Sequence, residues 1–298
     1  MTETDKIVNA LTYVLESSVN DFIKAVPGIQ DKIFAEVVGL IKDLEVSNGR
    51  IKNNIANIRT IGKIKTQLRK IILSKEYLKN VSKYIKQFDN VSTLQNKYFN
   101  SLQAEFSAGK VYEEIKLQSI DSALESLTES GITENVIKPI QDILRQNITG
   151  GGTITKFVGQ MREFITNTDA GDGRLLKYSK QIVTDSINQY NRQYGQIVSD
   201  DLGWNWFEYS GSLIKTSREF CVHMVKKRYV HRSEFTTVLK GDIDGKKIAV
   251  YDKTGLPYGL IAGTDQYNFP VYAGGYQCGH LVRPVPDVVV PIGLRTAL

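Results

Sequence analysis

The chain has 298 residues, of which 41% are hydrophobic and 23% are charged, so it can bury a sizeable core and general disorder is not expected. No run of about 18 uninterrupted apolar residues occurs, which argues against a membrane span, and the amino terminus lacks the pattern of a secretory signal. Two cysteines do not make a disulfide framework, so a cytosol-like compartment is expected. The net charge of +6 is distributed unevenly along the chain.

The amino-terminal half is predicted to be helical almost throughout. Apolar residues recur at three- and four-residue steps, as in amphipathic helices, over 7–23, 33–44 and 51–71. Pro27-Gly28 should end or bend the first of these helices, and Asn48-Gly49 lies between the second and the third. Weaker helical periodicity continues to residue 148.

A basic segment overlaps the third predicted helix. Between residues 50 and 86 there is one acidic residue, Glu76, so the segment carries a net charge of +10. Its eleven basic residues are Arg50, Lys52, Arg59, Lys63, Lys65, Arg69, Lys70, Lys75, Lys79, Lys83 and Lys86. Such a helical face suits non-specific contact with the phosphates of duplex DNA. Solvation of ordinary surface lysines and docking of an acidic protein partner remain open as alternatives.

Three consecutive glycines at positions 150–152 mark the clearest boundary in the sequence, because glycine disfavours regular structure. Helices are expected beyond it over 154–165 and 175–202. The aromatic residues at 204–209 then indicate a strand.

A hairpin is expected around Asp244-Gly245, which is flanked by the apolar residues 238–239 and 248–251. The proline-rich tail at 284–291 should be extended. We therefore predict an α+β protein with a mostly helical region at 1–149 and a smaller α+β domain at 150–298. Short strands, hairpins and the extended carboxy-terminal tail belong to that second domain.

All cysteine and histidine residues fall between positions 221 and 280: Cys221, His223, His231, Cys278 and His280. Two Cys-x-His pairs stand at the ends of this stretch. Zn²⁺ takes four thiolate or imidazole ligands, so Cys221, His223, Cys278 and His280 are the candidate set. The one-residue gap requires an extended or tightly turned backbone. A buried thiol pair, a disulfide and unrelated roles remain open, and His231 is a possible replacement ligand.

The same residues also suit a cysteine nucleophile with a histidine base. That chemistry needs an orienting third group and an oxyanion pocket, and no familiar cysteine-protease signature surrounds either cysteine. We therefore expect no enzymatic activity and assign no catalytic residue.

Several short segments beyond residue 150 form a recognisable series. They are Gly150-Gly151-Gly152-Thr153-Ile154, the helix at 175–194, the aromatic strand at 206–211, Thr216-Ser217-Arg218-Glu219-Phe220-Cys221, Gly274-Gly275-Tyr276-Gln277-Cys278-Gly279-His280 and Arg283-Pro284-Val285. In this order and spacing they resemble the head morphogenesis domain of Mu F-like phage minor head proteins, over a little under half of the chain. Gly279 departs from the arginine that the family commonly carries there.

The resemblance implies a structural protein of a tailed-phage virion, associated with the portal and other capsid proteins at the vertex or in the interior of the head. The protein would be made in the host cytoplasm and would act in head assembly and in DNA packaging or delivery. The basic helical face would supply non-specific DNA contact. Arg218 is expected to be structural, either paired with a carboxylate or shaping the core.

Two other functions remain open. The first is a nucleic-acid-binding protein unrelated to virions, for which the basic segment is sufficient. The second is a zinc- or cysteine-dependent hydrolase that uses the cysteine and histidine residues.

Overall fold

The computed structural model describes residues 1–103, 106, 109–251 and 253–296. Its α-helices are α1 (Glu3–Lys24), α2 (Val26–Lys42), α3 (Ile55–Ile72), α4 (Lys75–Ile85), α5 (Gln87–Leu102), α6 (Lys110–Leu127), α7 (Glu129–Ile132), α8 (Lys138–Thr149), α9 (Ile154–Ile165), α10 (Arg174–Leu202), α11 (Glu219–Lys227), α12 (Phe235–Val238), α13 (Phe269–Tyr272) and α14 (Ile292–Arg295). Its strands are β1 (Val46–Ser47), β2 (Arg50–Ile51), β3 (Trp206–Ser210), β4 (Tyr229–His231), β5 (Asp242–Ile243), β6 (Lys246–Lys247) and β7 (Leu281–Val285).

The predicted α+β class is confirmed. The amino-terminal half is mostly helical, and the strands are few, short and antiparallel. No helix in the described part of the chain is both long enough and apolar enough to cross a bilayer.

Two compact units make up the chain, and each is assembled from separate segments. Unit 1 consists of Met1–Ser17, Gln87–Ser119 and Thr184–Leu298, and unit 2 consists of Ser18–Lys86 and Ile120–Val183. The linear division proposed between residues 149 and 150 does not coincide with these units, because the residues on both sides of that position belong to unit 2.

Unit 2 is helical apart from the small β1–β2 hairpin. Helix α2 packs against α3 and α9, and α8 packs against the same two helices. The buried faces consist of the apolar residues that recur at helical spacing, among them Ile33, Ile64, Leu68, Leu144 and Phe157, all with no exposed surface. Burial of these stripes is the main stabilising contribution to a helical unit of this kind.

The glycine run connects two helices of unit 2. Helix α8 ends at Thr149 with Gly150 as its C-cap, and the Thr153 side chain accepts a hydrogen bond from the Lys156 amide at the start of α9. Gly151 adopts a left-handed φ of +61°, which glycine tolerates without strain. The predicted interruption is therefore present as a tight turn between packed helices.

Unit 1 contains a three-stranded antiparallel sheet with β3 between β4 and β7. Alternate residues of β3 point to opposite faces. Phe207 and Tyr209 join one apolar cluster that also holds both cysteines, whereas Trp206 packs with Val285 in a second cluster. Both faces of the central strand are consequently buried.

The buried carboxylate of Glu208 lies in the same strand, with its side chain 3% exposed. It accepts hydrogen bonds from Arg228 at 2.8 Å and from Arg283, which lies opposite it on β7. These two ion pairs compensate the cost of burying the carboxylate.

The hairpin at Asp244-Gly245 is present, but its strands are not the predicted ones. Asp244 and Gly245 have φ values of +51° and +77°, as a two-residue hairpin turn of the primed type requires. Such a turn pairs the residues directly beside it, here Asp242–Ile243 and Lys246–Lys247. Val238, which was predicted to be in a strand, instead ends helix α12.

The carboxy-terminal tail is extended only in part. Strand β7 includes Pro284, which is tolerated because β7 is an edge strand of the sheet. A single 3₁₀ turn follows at Asp287–Val289, and α14 begins at Ile292.

Candidate functional site

Three of the four candidate metal ligands come together in unit 1. Cys221 lies in the first turn of α11, and Cys278 and His280 lie on the loop between α13 and β7. The potential ligand atoms of these three residues all lie within 4.8 Å of one another, and Cys278 Sγ is 3.4 Å from His280 Nδ1. Both cysteines are buried free thiols. The cluster could hold a metal ion.

His223 is not part of this cluster, which corrects the four-residue set taken from the sequence. The prediction required an extended or tightly turned backbone around each Cys-x-His pair, whereas residues 221–223 are helical. Two helical residues correspond to a rotation of about 200°, so His223 is directed away from Cys221. Its Nε2 atom lies 3.9 Å from the carboxylate of Glu219.

His231 is not a replacement ligand in this structure. It ends strand β4, and its ring nitrogen accepts a hydrogen bond from the Ser233 amide, which caps the following 3₁₀ turn. Its ring also packs against Trp206.

Tyr209 contacts both thiols from the central strand. Its hydroxyl donates to Cys221 Sγ at 3.4 Å and lies 3.5 Å from Cys278 Sγ. The ring of His280 stacks on the tyrosine ring with a centroid distance of 5.4 Å. Tyr209 has no exposed surface, and burial raises its pKa well above the ordinary value.

Arg192, on helix α10, holds the loop that carries Cys278 and His280. Its guanidinium donates to four backbone carbonyls, those of Val271 at 3.2 Å, Ala273 at 2.9 Å, Cys278 at 3.0 Å and His280 at 2.7 Å. The residue is only 3% exposed. Charged donors in a buried setting make strong hydrogen bonds, so this side chain fixes the loop conformation.

Arg218 holds the middle of the same loop. Its guanidinium donates to the carbonyl oxygens of Gly274 at 2.7 Å and Tyr276 at 2.5 Å. It thus bonds to carbonyls of the loop rather than to a carboxylate. Gly274 has a φ of +87°, and a Cβ atom there would collide with the sulfur of Cys278. The loop therefore requires glycine where it passes closest to the thiols.

The electrostatics of the cluster favour negative charge on Cys278. A hydrogen bond from the Cys221 thiol lowers the pKa of Cys278 well below its ordinary value, and the positive charge of Arg192 acts in the same direction. The same hydrogen bond, together with burial, raises the pKa of Cys221. Of the two thiols, Cys278 is therefore the one whose ionisation this arrangement favours.

Asp185 is a further acid beside the loop. Burial raises its pKa to about 6, although the Gln277 amide donates to it at 2.5 Å and the charge of Arg192 favours its ionised form. Asp185 and Arg192 are seven residues apart on α10 and so lie on the same helix face.

The basic segment lies in unit 2, and all eleven of its Lys and Arg residues are exposed. Within the described part of the chain, four of them interact with neighbouring groups. Arg69 pairs with Glu129 at 2.6 Å, Lys83 with Asp21 at 2.8 Å and Lys52 with Glu45 at 3.6 Å, while Arg50 donates to the carbonyl of Gly151.

Six of the remaining seven basic residues form two cationic stripes, and Lys65 lies outside both. They consist of Arg59, Lys63 and Lys70 on α3, and of Lys75, Lys79 and Lys86 along α4 and at its C-cap. In each stripe the second and third members follow the first by four and eleven residues, which places all three within about 40° around the helix axis. Each stripe lies opposite the buried face of its helix. The spacing presents three cations in a row along each helix.

The sequence did not identify Tyr209, Asp185 and Arg192 as site residues. For α10 the sequence did contain a pattern that could have identified a site face. Its polar positions 185, 188, 192 and 199 recur at helical spacing beside the apolar stripe. What those residues contact depends on the loop at 271–280, which lies about 80 residues further along the chain.

Comparison with protein-family models, curated proteins and solved structures finds no match to this chain.

We expect Arg192→Lys to lower the free energy of unfolding by about 3 kcal/mol or more. Two guanidinium nitrogens each donate to two of the four carbonyls, and one ammonium group cannot reach all four. Urea denaturation measures the loss. Arg232→Lys is the matched control. Arg232 pairs with Asp200 at 2.5 Å and has a side chain that is 32% exposed, so the expected loss is below about 1 kcal/mol. Equally small losses in both variants would show that the loop does not depend on Arg192.

Proposed function

We propose that this chain is a minor head protein of a tailed phage. It is a structural component of the virion, associated with the portal and other capsid proteins, and it acts in head assembly and in DNA packaging or delivery. It is made in the host cytoplasm and does not act as an enzyme.

The observation that carries the proposal is a convergence in unit 1. The segments on which the family resemblance rests include the long helix, the aromatic strand, the Arg-containing segment and the closing Cys-x-His element. Each of them contributes to the same buried cluster. The long helix supplies Arg192 and the aromatic strand supplies Tyr209. The Arg-containing segment supplies Arg218 and Cys221, and the closing element supplies Cys278 and His280. Segments that carry a family pattern are expected to meet in space where they build a shared structural centre.

A structural role for this centre agrees with the burial of its sulfur atoms. Cys221 is 2% exposed and Cys278 is 4% exposed. A catalytic thiolate normally lies in a partly exposed position that a substrate can reach. Such burial suits a structural role, in which Cys221 and Cys278 hold the loop to α11.

We assign Zn²⁺ as the metal ion of the cluster. Two thiolates and an imidazole are the ligand types that zinc prefers, and the ion would join α11 to the loop before β7. Because the ligands come from segments far apart in sequence, metal binding stabilises the folded state of unit 1.

The two histidines near the cysteines provide a matched test of this assignment. His280→Ala should lose the bound zinc and lower the melting temperature, whereas His223→Ala should retain about one zinc per chain, because His223 lies outside the cluster. Elemental analysis of the purified proteins and thermal denaturation with and without a chelator measure both effects. Equal zinc contents in the two variants would contradict the assignment.

Non-specific DNA contact is the second part of the proposed function. The two stripes present three cations each on the exposed faces of α3 and α4. Cations spaced along a helix can neutralise several backbone phosphates without reading the base sequence.

The triple variant Arg59→Gln, Lys63→Gln and Lys70→Gln should bind duplex DNA more weakly. Loss of three phosphate contacts should reduce the slope of log K against log salt concentration by about three. The control triple variant Lys240→Gln, Lys246→Gln and Lys253→Gln removes the same charge from exposed positions of unit 1. Fluorescence anisotropy over a salt series measures both slopes, and an equal reduction in the two variants would rule out the stripes as the specific contact surface.

Association with virion proteins tests the main proposal directly. The full chain, produced together with the portal protein of the same genome, should co-migrate with the portal ring in size-exclusion chromatography. It should also be detected by mass spectrometry in purified particles. A folded chain that binds DNA but is absent from both would favour the nucleic-acid-binding protein unrelated to virions.

A further inference from the structure

The metal cluster is one ligand short of a closed zinc site. Structural zinc is bound by four ligands in a tetrahedral arrangement. The described residues supply Cys221, Cys278 and His280, and His223 is directed elsewhere. A fourth group must therefore complete the site, or a water molecule must occupy the position.

The hydroxyl of Tyr209 lies where a fourth ligand would be. Zinc–sulfur bonds of about 2.3 Å and zinc–oxygen bonds of about 2.0 Å at tetrahedral angles place the oxygen about 3.5 Å from each sulfur. Tyr209 Oη is 3.4 Å from Cys221 Sγ and 3.5 Å from Cys278 Sγ. The distance of 3.4 Å between Cys278 Sγ and His280 Nδ1 fits another edge of the same tetrahedron.

The surroundings leave little room for water at this position. Tyr209 has no exposed surface, and the His280 ring stacks on its ring at an interplanar angle of 29°. The backbone of Gly274 lies so close to the Tyr209 hydroxyl that a Cβ atom on residue 274 would be 2.8 Å from the hydroxyl oxygen. Tyr209 is also fixed by its strand, where it pairs with Val282, two residues after His280.

The charges around the site favour an additional anionic ligand. Zn²⁺ with two thiolates and a neutral imidazole carries no net charge, and a phenolate makes the centre anionic by one unit. Arg192 is buried beside it and donates its four hydrogen bonds to backbone carbonyls, so its positive charge favours an anionic centre.

We infer that Tyr209 is the fourth ligand of the zinc centre, bound through its phenolate oxygen, so that the site is closed to water. On metal binding the thiols of Cys221 and Cys278 and the phenol of Tyr209 each release a proton to solvent, and His280 binds through a neutral nitrogen. This inference rests on the metal-binding part of the proposed function.

Cobalt is a suitable probe, because Co²⁺ in place of Zn²⁺ reports the number and type of its ligands in its absorption spectrum. The full chain is freed of metal with a chelator and titrated with Co²⁺, and azide is then added as a competing small ligand. Tyr209→Phe removes only the hydroxyl. The matched control is Tyr98→Phe, which removes a buried tyrosine hydroxyl of the same unit that donates to the carbonyl of Pro284.

The inference predicts that azide leaves the Co²⁺ spectra of the wild type and of Tyr98→Phe unchanged. The Tyr209→Phe variant should bind Co²⁺ at least about tenfold more weakly, and azide should shift its spectrum, because the fourth position is then open. A shift with azide in the wild type would overturn the inference and leave a three-ligand metal site. A Tyr209→Phe variant with wild-type affinity and no response to azide would overturn it as well.

A second measurement uses only the wild type and does not depend on the folding of a variant. Addition of Zn²⁺ to the metal-free chain should produce the near-ultraviolet difference absorption of about one tyrosinate per chain. Absence of that band, with zinc bound through the thiolates, would overturn the tyrosine assignment alone. Absence of any thiolate-to-cobalt absorption in the wild type would overturn the metal centre itself.

Discussion

A single buried guanidinium organises the candidate site. Arg192 projects from the longest helix into the interior of unit 1, and the cost of burying its charge is compensated by four carbonyl oxygens of the loop at 271–280. Those carbonyls can converge on one side chain only if the loop takes a particular path. The positions of Cys278 and His280 follow from that path.

The rest of the cluster is built around the same loop. Arg218 holds its middle, and glycine at position 274 lets the backbone pass close to the thiols. Tyr209 and Cys221 approach from the sheet and from α11. The hydrogen bond from Cys221 lowers the pKa of Cys278, and the positive charge of Arg192 acts in the same direction, so the side chain that fixes the loop also favours ionisation of a candidate metal ligand.

The basic face of unit 2 depends on solvent exposure and alignment rather than on buried hydrogen bonds. Its cations need no buried partner, because they lie on exposed helix faces where water solvates them at little cost. What matters for a polyanion is that they are aligned, and the apolar stripes buried on the opposite faces impose that alignment. The proposed non-specific DNA contact would use this surface.

Elements with local causes could be predicted from the residues alone. Helix α9 begins and ends at the predicted residues and α10 begins one residue early, because apolar periodicity and the cap at Thr153 act within a few residues. The turn at Asp244-Gly245 was also predicted, although the length of its strands was not. The exposure of the basic residues followed from the same periodicity.

Which of these elements contact one another depends on the three-dimensional fold. The pairing of Cys221 with Cys278 and His280, and the exclusion of His223, depend on the helical backbone at 221–223 and on a loop closed by Arg192 from about 80 residues upstream. Tyr209 lies in the cluster because β3 pairs with β7. The boundaries of the two compact units do not fall at the glycine run. A helix with one buried face produces a repeating apolar pattern in the sequence, whereas contacts between residues far apart in sequence produce no such pattern.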